Sequence, residues 1–205
     1  MTKMFLEQPT PILNKIYPKG VFRKNPEDHS VYLTFDDGPI PEITPWLLEE
    51  LDKYDIKATF FVVGHNVKKY PELFQQILDH GHQVGNHTFN HVRSMYMRTP
   101  DYIDNVKKCD RYFKTRLFRP PHGIMRRWLY RYMLDEYDII FWDVITRDYN
   151  SKLSGRKVLR IVKKYTRNGS IIVFHDSVRS EKNLKYALPR AIEWLKSEGY
   201  EFKLV

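Results

Sequence analysis

Cysteine is almost missing from this chain: Cys109 is the single one among 205 residues. One thiol excludes an internal disulfide, and so low a count favours a reducing compartment. Cys109 lies in a charged, helical stretch and reads as a packing residue. Long apolar runs are missing too. The opening residues, MTKMFLEQPTPILNKIYPKG, hold no run long enough for a signal peptide or a membrane span, so the expected localisation is cytoplasmic, with no transmembrane segment. Acidic residues are in short supply, 25 against 34 basic ones, which leaves a formal charge of +9. Such a balance suits an anionic partner but carries no information about fold. No repeat, low-complexity tract or linker divides the chain.

What is present is the composition of a folded domain, with 42% hydrophobic and 15% aromatic residues. At this length one domain with a full core is expected. Residues 1–30 are proline-punctuated and basic, and read as an N-terminal arm packed on a domain formed by 31–205. Within that domain strand-like and helix-like patterns alternate. Strands are predicted at 31–36, 58–63, 82–87, 117–120, 138–145, 170–175 and 200–205, and helices at 43–54, 71–80, 100–114, 125–136, 155–167 and 184–198. Pro71, Pro100 and Ser154 mark helix starts, and Gly81, Gly169 and Gly199 follow helix ends. Seven strands alternating with helices argue for a parallel α/β fold, either a barrel or an open sheet.

Five short stretches carry possible chemistry. Val31–Pro39 (VYLTFDDGP) is a strand that ends in two carboxylates, Asp36 and Asp37, and then a Gly-Pro turn that lets both reach one pocket. Carboxyl ends of strands are where α/β proteins place their sites, although a solvated turn has the same appearance. His87 and His91 are four residues apart, and on a helix they would face the same way and could share a metal with Asp37 as third ligand. Two histidines that merely fall on one helix face would look identical. Arg119-Pro-Pro-His-Gly123 places a permanent cation on a rigid turn, suited either to holding a carboxylate ionised or to a structural bridge. The strand that ends in His175, with Asp148-Tyr149 upstream, offers an acid–base histidine oriented by a carboxylate, or a satisfied structural one.

Taken together and in this order, Thr34–Pro39, His87–His91, Arg119–Gly123, Asp148-Tyr149 and Val173–His175 resemble the five motifs of the polysaccharide deacetylases, the NodB-like group also called carbohydrate esterase family 4. The resemblance covers about residues 30–205. It implies an α/β fold, a distorted (β/α)7 barrel related to the TIM barrel. It also implies a hydrolase that removes acetyl groups from an N-acetylated sugar or polysaccharide, such as a chitooligosaccharide or a peptidoglycan-like glycan containing N-acetylglucosamine. One divalent metal ion is implied, zinc first with cobalt or nickel as alternatives, held by Asp37, His87 and His91. By the same resemblance Asp36 is a general base acting on a metal-bound water and Arg119 orients it, while His175 is the general acid, tuned by Asp148. The backbone amide of His122 would help to stabilise the oxyanion, and Val173 and Tyr149 would line the acyl pocket.

The sequence departs from the family pattern at three of these positions. Tyr149 stands where the fourth motif normally has tryptophan, His122 where the third often has tyrosine, and Val173 where leucine is more usual. The smaller Tyr149 and Val173 predict an acyl pocket wider or more polar than is typical. Arg126, Arg127 and Arg131, with Arg156, Lys157, Arg160, Lys163 and Lys164, read as solvated helix faces that would attract an anionic or lipid-linked glycan. Nucleic acid is not expected, because no recognition motif accompanies the charge. Three other readings compete. An O-acetyl (xylan-type) esterase would belong to the same family. A non-catalytic, metal-centred glycan-binding protein would have no use for Asp36 and His175. An iron(II) oxygenase would leave Asp36, Arg119 and His175 without roles.

Overall fold

The structure is a computed structural model that describes residues 7–205. Its first elements are α1 (Pro11–Ile16), β1 (Ser30–Asp36), α2 (Thr44–Lys53), β2 (Thr59–Val62), α3 (Gly64–Lys69), α4 (Pro71–Asp79) and β3 (Gln83–Asn86). They are followed by α5 (Thr99–Lys107), β4 (Leu117–Phe118), α6 (Arg127–Met133), β5 (Asp138–Ile139), β6 (Val144–Ile145), α7 (Gly155–Tyr165), β7 (Ser170–His175), α8 (Glu181–Ser197) and β8 (Glu201–Phe202). All strand pairs are parallel, in the order β5-β4-β3-β2-β1-β7-β6, and β8 pairs with the start of β1.

That order forces the sheet to curl. Its edge strands, β5 and β6, are joined only by residues 140–143. Seven strands laid flat would separate the edges by about 29 Å, given a spacing of ~4.8 Å. The chain from residue 139 to residue 144 can span at most about 17 Å. The edges must therefore approach each other, and the result is a distorted barrel of parallel strands with helices outside. The expected strand over 138–145 is broken in two for this reason. Its middle crosses the seam, where Asp143 N donates to Ile171 O at 3.0 Å and the buried Asp143 carboxylate accepts from Arg167 and Ser170. Val21 covers the seam, its N–H donating to Ile139 O at 2.9 Å and its carbonyl accepting from Phe141 N at 2.8 Å.

The strand period then divides the core. On β1, Val31, Leu33 and Phe35 point outward into the largest apolar cluster, shared with Leu47 and Leu51 of α2 and with Leu184, Leu188, Ile192 and Leu195 of α8. These α8 residues recur at the spacing of one helix face. Burying each such leucine contributes about 1.5–3 kcal/mol. Tyr32 points inward and meets Phe61, Ile140, Ile171 and Val205 inside the barrel. Thr34 and Asp36, on the same face as Tyr32, follow it up the barrel interior toward the carboxyl end. A third cluster joins Tyr17 and Phe22 to Phe141, Leu129 and Met133, so residues 17–22 pack on the barrel beside α5 and α6. Residues 1–6 of the expected arm lie outside the described residues.

Two helices beyond the expected set appear, α1 and α3, and both are only six residues long. Six residues are fewer than two turns, too few for a helical period to show. Gly169, expected to follow a helix end, lies in the turn before β7 with φ +76°, and a Cβ there would collide with the carbonyl oxygen of Lys24. Among the described residues no helix is long and apolar enough to cross a membrane.

His82, just before β3, is buried at 5% exposure. Its Nδ1 accepts from Ala58 N at 3.2 Å, and its Nε2 has no partner. Burial, helped by the nearby Lys57 charge, pushes its pKa down to about 4. The folded protein thus holds this ring neutral while the unfolded chain protonates near 6.5. Stability from this source is present above about pH 6.5 and is lost as pH falls toward 4. Urea unfolding of the parent and of His82→Gln at pH 7 and pH 4.5 should show their stability difference shrinking by about 2 kcal/mol at the lower pH.

Candidate active site

The carboxyl ends of β1, β3 and β7 and the turn after β4 bring the expected site residues together. At the end of β1 the backbone of Asp37 takes φ 86°, a left-handed conformation that turns the chain sharply. The turn is held by Val63 N donating to Gly38 O at 3.0 Å and Asn66 Nδ2 donating to Asp37 O at 2.8 Å. A Cβ on Gly38 would run into the carboxylate of Asp176, so glycine is needed for that close approach. This bend lets two consecutive aspartates face one pocket.

Asp36 is held by Arg119. Its Oδ1 accepts from Arg119 Nη1 at 2.7 Å, and both side chains are almost fully buried. The guanidinium also donates to Thr34 Oγ1 at 2.8 Å and to Phe141 O at 2.9 Å, and it lies 4.0 Å from the ring centre of Phe61. Burial would raise the Asp36 pKa, but the charge of Arg119, helped by His87 and His175, holds it below the usual carboxylate value. Asp36 is therefore ionised.

His87 and His91 do reach one another, although not on a helix. After His87 the chain passes through Thr88 at φ 64° and returns at His91 with φ 53°. The loop is pinned by Asn86 Oδ1, which accepts from Thr88 N at 2.8 Å, and by Asn105 Oδ1, which accepts from Phe89 N at 3.0 Å. An irregular turn, and not a helix, thus brings the two rings to 5.1 Å. His87 Nδ1 lies 2.7 Å from Arg119 O. A carbonyl only accepts, so Nδ1 carries the proton and Nε2 is left with a free lone pair. Burial pushes the His87 pKa down to about 3, which keeps the ring neutral.

Asp37 completes this group. Its Oδ1 lies 3.2 Å from His91 Nε2 and 3.8 Å from His87 Nε2. That oxygen is buried, yet it has no hydrogen-bond partner. One ligand atom from each of the three side chains falls within 4.8 Å of the others. Two imidazole nitrogens and an orphaned carboxylate oxygen converging in this way suit a divalent cation of the zinc class. Burial leads in raising the Asp37 pKa and Asp36 and Asp148 add to it, against the pull of His175 and His91. His91 stays 35% exposed, so the group is open to solvent on one side.

His175 stands beside Asp36 in the β1–β7 register. Asp148, fully buried, accepts from His175 N at 2.8 Å and faces its Nδ1 at 2.8 Å. Burial alone would lower the pKa of this ring, but Asp148, with Asp37 and Asp36 behind it, pushes it up to about 9. Tyr149 sets its ring edge-on to His175 at 4.7 Å. Val173 lies on the same face of β7 but one layer down, in register with Thr34, and is buried. His122 takes φ 62°, and its ring stands 4.8 Å from that of His91. His29, His65, His80 and His82 lie elsewhere, and His29 and His80 bond to Asn168 and Asp52 respectively.

Reading the sequence alone misses Asp176. It accepts from Thr44 Oγ1 at 2.7 Å, its other oxygen has no partner, and burial pushes its pKa up to about 7. The signal available was its place directly after His175 at the end of an apolar strand. Asn183, on α8, is missed as well; its Nδ2 donates to Asp148 O at 2.9 Å.

Against known proteins, a family model described as polysaccharide deacetylase matches residues 23–135. The chain belongs to the polysaccharide deacetylase family. Within it, the chain is 33% identical over 179 residues to the peptidoglycan-N-acetylglucosamine deacetylase PgdA of Listeria monocytogenes; the match covers 84% of this chain but only 37% of that protein. It is 32% identical over 210 residues to the peptidoglycan-N-acetylmuramic acid deacetylase PdaA of Bacillus subtilis, covering 94% of this chain and 77% of that one. The crystal structure of the Bc1960 peptidoglycan N-acetylglucosamine deacetylase, in complex with a naphthyl-substituted N-hydroxybenzamide, superposes with a TM-score of 0.88 at 28% identity, covering 96% and 95% of the two chains. The parallel barrel found here is thus the fold of other polysaccharide deacetylases.

The buried ion pair invites a stability test. Arg119→Met should cost about 3–5 kcal/mol, because it leaves the Asp36 carboxylate buried without its partner. The double variant Asp36→Asn/Arg119→Met should lose less than the sum of the two single changes, since no charge is then stranded. Urea unfolding of the three variants at pH 7 measures both.

Proposed function

We propose that this polysaccharide deacetylase is a metal-dependent hydrolase that removes acetyl groups from N-acetylated sugars of a peptidoglycan-type glycan. The observation that carries the reading is the pairing of an ionised Asp36 with a raised-pKa His175, neighbours in the β1–β7 register at the strand ends that also carry the Asp37–His87–His91 group. Two titratable groups pushed to opposite protonation states divide the work of base and acid. The names of the relatives supply the substrate class.

Asp37, His87 and His91 would hold one divalent ion, with zinc best suited to the donor set. Bound there, the ion would supply Lewis acidity, polarising the acetyl carbonyl and making a water molecule more acidic. Asp36, kept ionised by Arg119, takes a proton from the water that attacks the carbonyl carbon. The N–H of His122 faces the negative charge that develops on the acetyl oxygen. His175, held in its charged form by Asp148, donates its proton to the amide nitrogen as the carbon–nitrogen bond breaks. Acetate and a free amino sugar remain. Tyr149 closes the acyl side of the site next to His175, while Val173 shapes it from one layer below.

Metal binding has a readout that does not depend on turnover. Zinc at a hundredfold excess over its Kd should stabilise the protein by about 2.7 kcal/mol, seen as a higher Tm that EDTA reverses, and His91→Ala should lose most of that gain. If zinc leaves the Tm of the parent unchanged, the three side chains do not form a metal site.

Catalysis is tested by acetate release from N-acetylated oligosaccharides and peptidoglycan fragments with added zinc, cobalt or nickel. Asp36→Asn should reduce the rate by roughly 10²–10⁴ while keeping the zinc-induced rise in Tm. His175→Ala should impair amide substrates more than aryl acetates, whose leaving group needs no proton. Equal losses on both would mean that His175 is not the acid.

A further inference from the structure

The loop that returns from His91 carries a cation that the mechanism above does not use. Arg93 is exposed, and its Nη2 lies 3.4 Å from His122 Nδ1. Its guanidinium carbon stands 5.9 Å from the ring centre of Tyr96, a residue 79% exposed. Neighbouring arginines are engaged: Arg98 forms a bidentate pair with Asp101, and Arg126 donates to Met97 O and Thr99 Oγ1. Among the described residues no carboxylate pairs with Arg93. Its Nη2 points toward the His122 ring nitrogen, a long contact that directs the guanidinium without pinning it. His122 in turn stands against His91, whose Nε2 faces Asp37. An unneutralised guanidinium thus sits two side-chain contacts from His91, one of the residues that would hold the metal.

The relatives' names distinguish two sugars, N-acetylglucosamine and N-acetylmuramic acid. They differ by one group, a lactyl ether on carbon 3 that ends in a carboxylate. Carbon 3 adjoins carbon 2, which bears the acetamido group. When the acetamido carbonyl occupies the site, a substituent on carbon 3 lies a few bonds away, on the rim. A planar, permanently charged guanidinium matches a carboxylate in a two-pronged geometry. An exposed tyrosine face beside it offers a flat surface for the sugar ring.

Resting on the deacetylase reading above, we propose that Arg93, oriented by His122 and flanked by Tyr96, binds a carboxylate on the sugar that is deacetylated, so that the chain prefers acidic N-acetylated sugars of the muramic type over neutral ones. The interaction is partly exposed and so is modest in size, and it weakens with salt.

The test compares two substrates of equal length, a chitotetraose carrying only N-acetylglucosamine and a peptide-free tetrasaccharide alternating with N-acetylmuramic acid. The parent should favour the acidic substrate. Arg93→Gln should lower the acidic-to-neutral ratio of kcat/KM by roughly three- to tenfold, mainly through KM, and Arg93→Lys should restore part of it. Raising the salt should shrink the parent's ratio in the same direction. A ratio unchanged within about twofold in Arg93→Gln, or a parent that prefers the neutral substrate, overturns the proposal. Titration calorimetry of the acidic tetrasaccharide separates it from the wider reading. Failure of the parent to release acetate from either substrate removes the deacetylase reading, while affinity for Arg93→Gln that is weaker by a similar factor still supports the role of Arg93. Equal affinity removes that role.

Discussion

Arg119 is the side chain on which the barrel and its site jointly depend. One guanidinium binds Asp36 and Thr34 on the central strand and the carbonyl of Phe141 in the crossover between the two sheet edges. It therefore fastens β1 to the seam across the barrel interior. A buried arginine costs several kcal/mol in lost hydration, and the ion pair, the hydrogen bonds and the contact with the Phe61 ring offset that cost. The return is positional: the charge that keeps Asp36 ionised is placed by the closure of the fold itself. The carbonyl of Arg119 also faces His87 Nδ1 and so selects that ring's tautomer. The ionisation of Asp36 and the tautomer of His87 are thus both set by one residue.

Backbone strain gathers around the same point. Asp37, Thr88, His91, His122 and Arg147 all have positive φ although none is glycine. Each such residue costs of order 1 kcal/mol or more and persists only where its surroundings hold it. Here the surroundings are specific: Asn66 on the carbonyl of Asp37, Asn86 on the amide of Thr88, and Asp148, next to Arg147, bonded to the amide and ring of His175. Asn66 and Asn86 act as struts for the turns that aim Asp37, His87 and His91.

Much of this was legible beforehand because strands and chemistry announce themselves in different ways. Runs such as VYLTF and SIIVF give buried parallel strands by composition, and the carboxylates and histidines at their ends follow. The spacing of His87 and His91 was legible but its cause was not. Four residues on a helix and four around a pinned turn both bring rings together, and only the left-handed residues distinguish them. The crossing at 140–143 was hidden because Phe141, Trp142 and Val144 have strand-like side chains, and barrel closure, not propensity, breaks the ladder there. Asp176 and Arg93 were hidden for opposite reasons. Asp176 matters through what buries it, and Arg93 through the absence of a carboxylate beside it.

The pairing of Val21 with the crossover bears on where this protein can be cut. A fragment that begins at residue 31 would keep every motif but lose Tyr17 and Phe22 from their stack on Phe141, as well as the backbone that pairs with Ile139 and Phe141. The crossover's donor and acceptor would then face outward from an uncovered sheet edge, and exposed edges of this kind recruit strands from other molecules. In any truncation or fusion at the amino end, residues 17–22 belong inside the boundary.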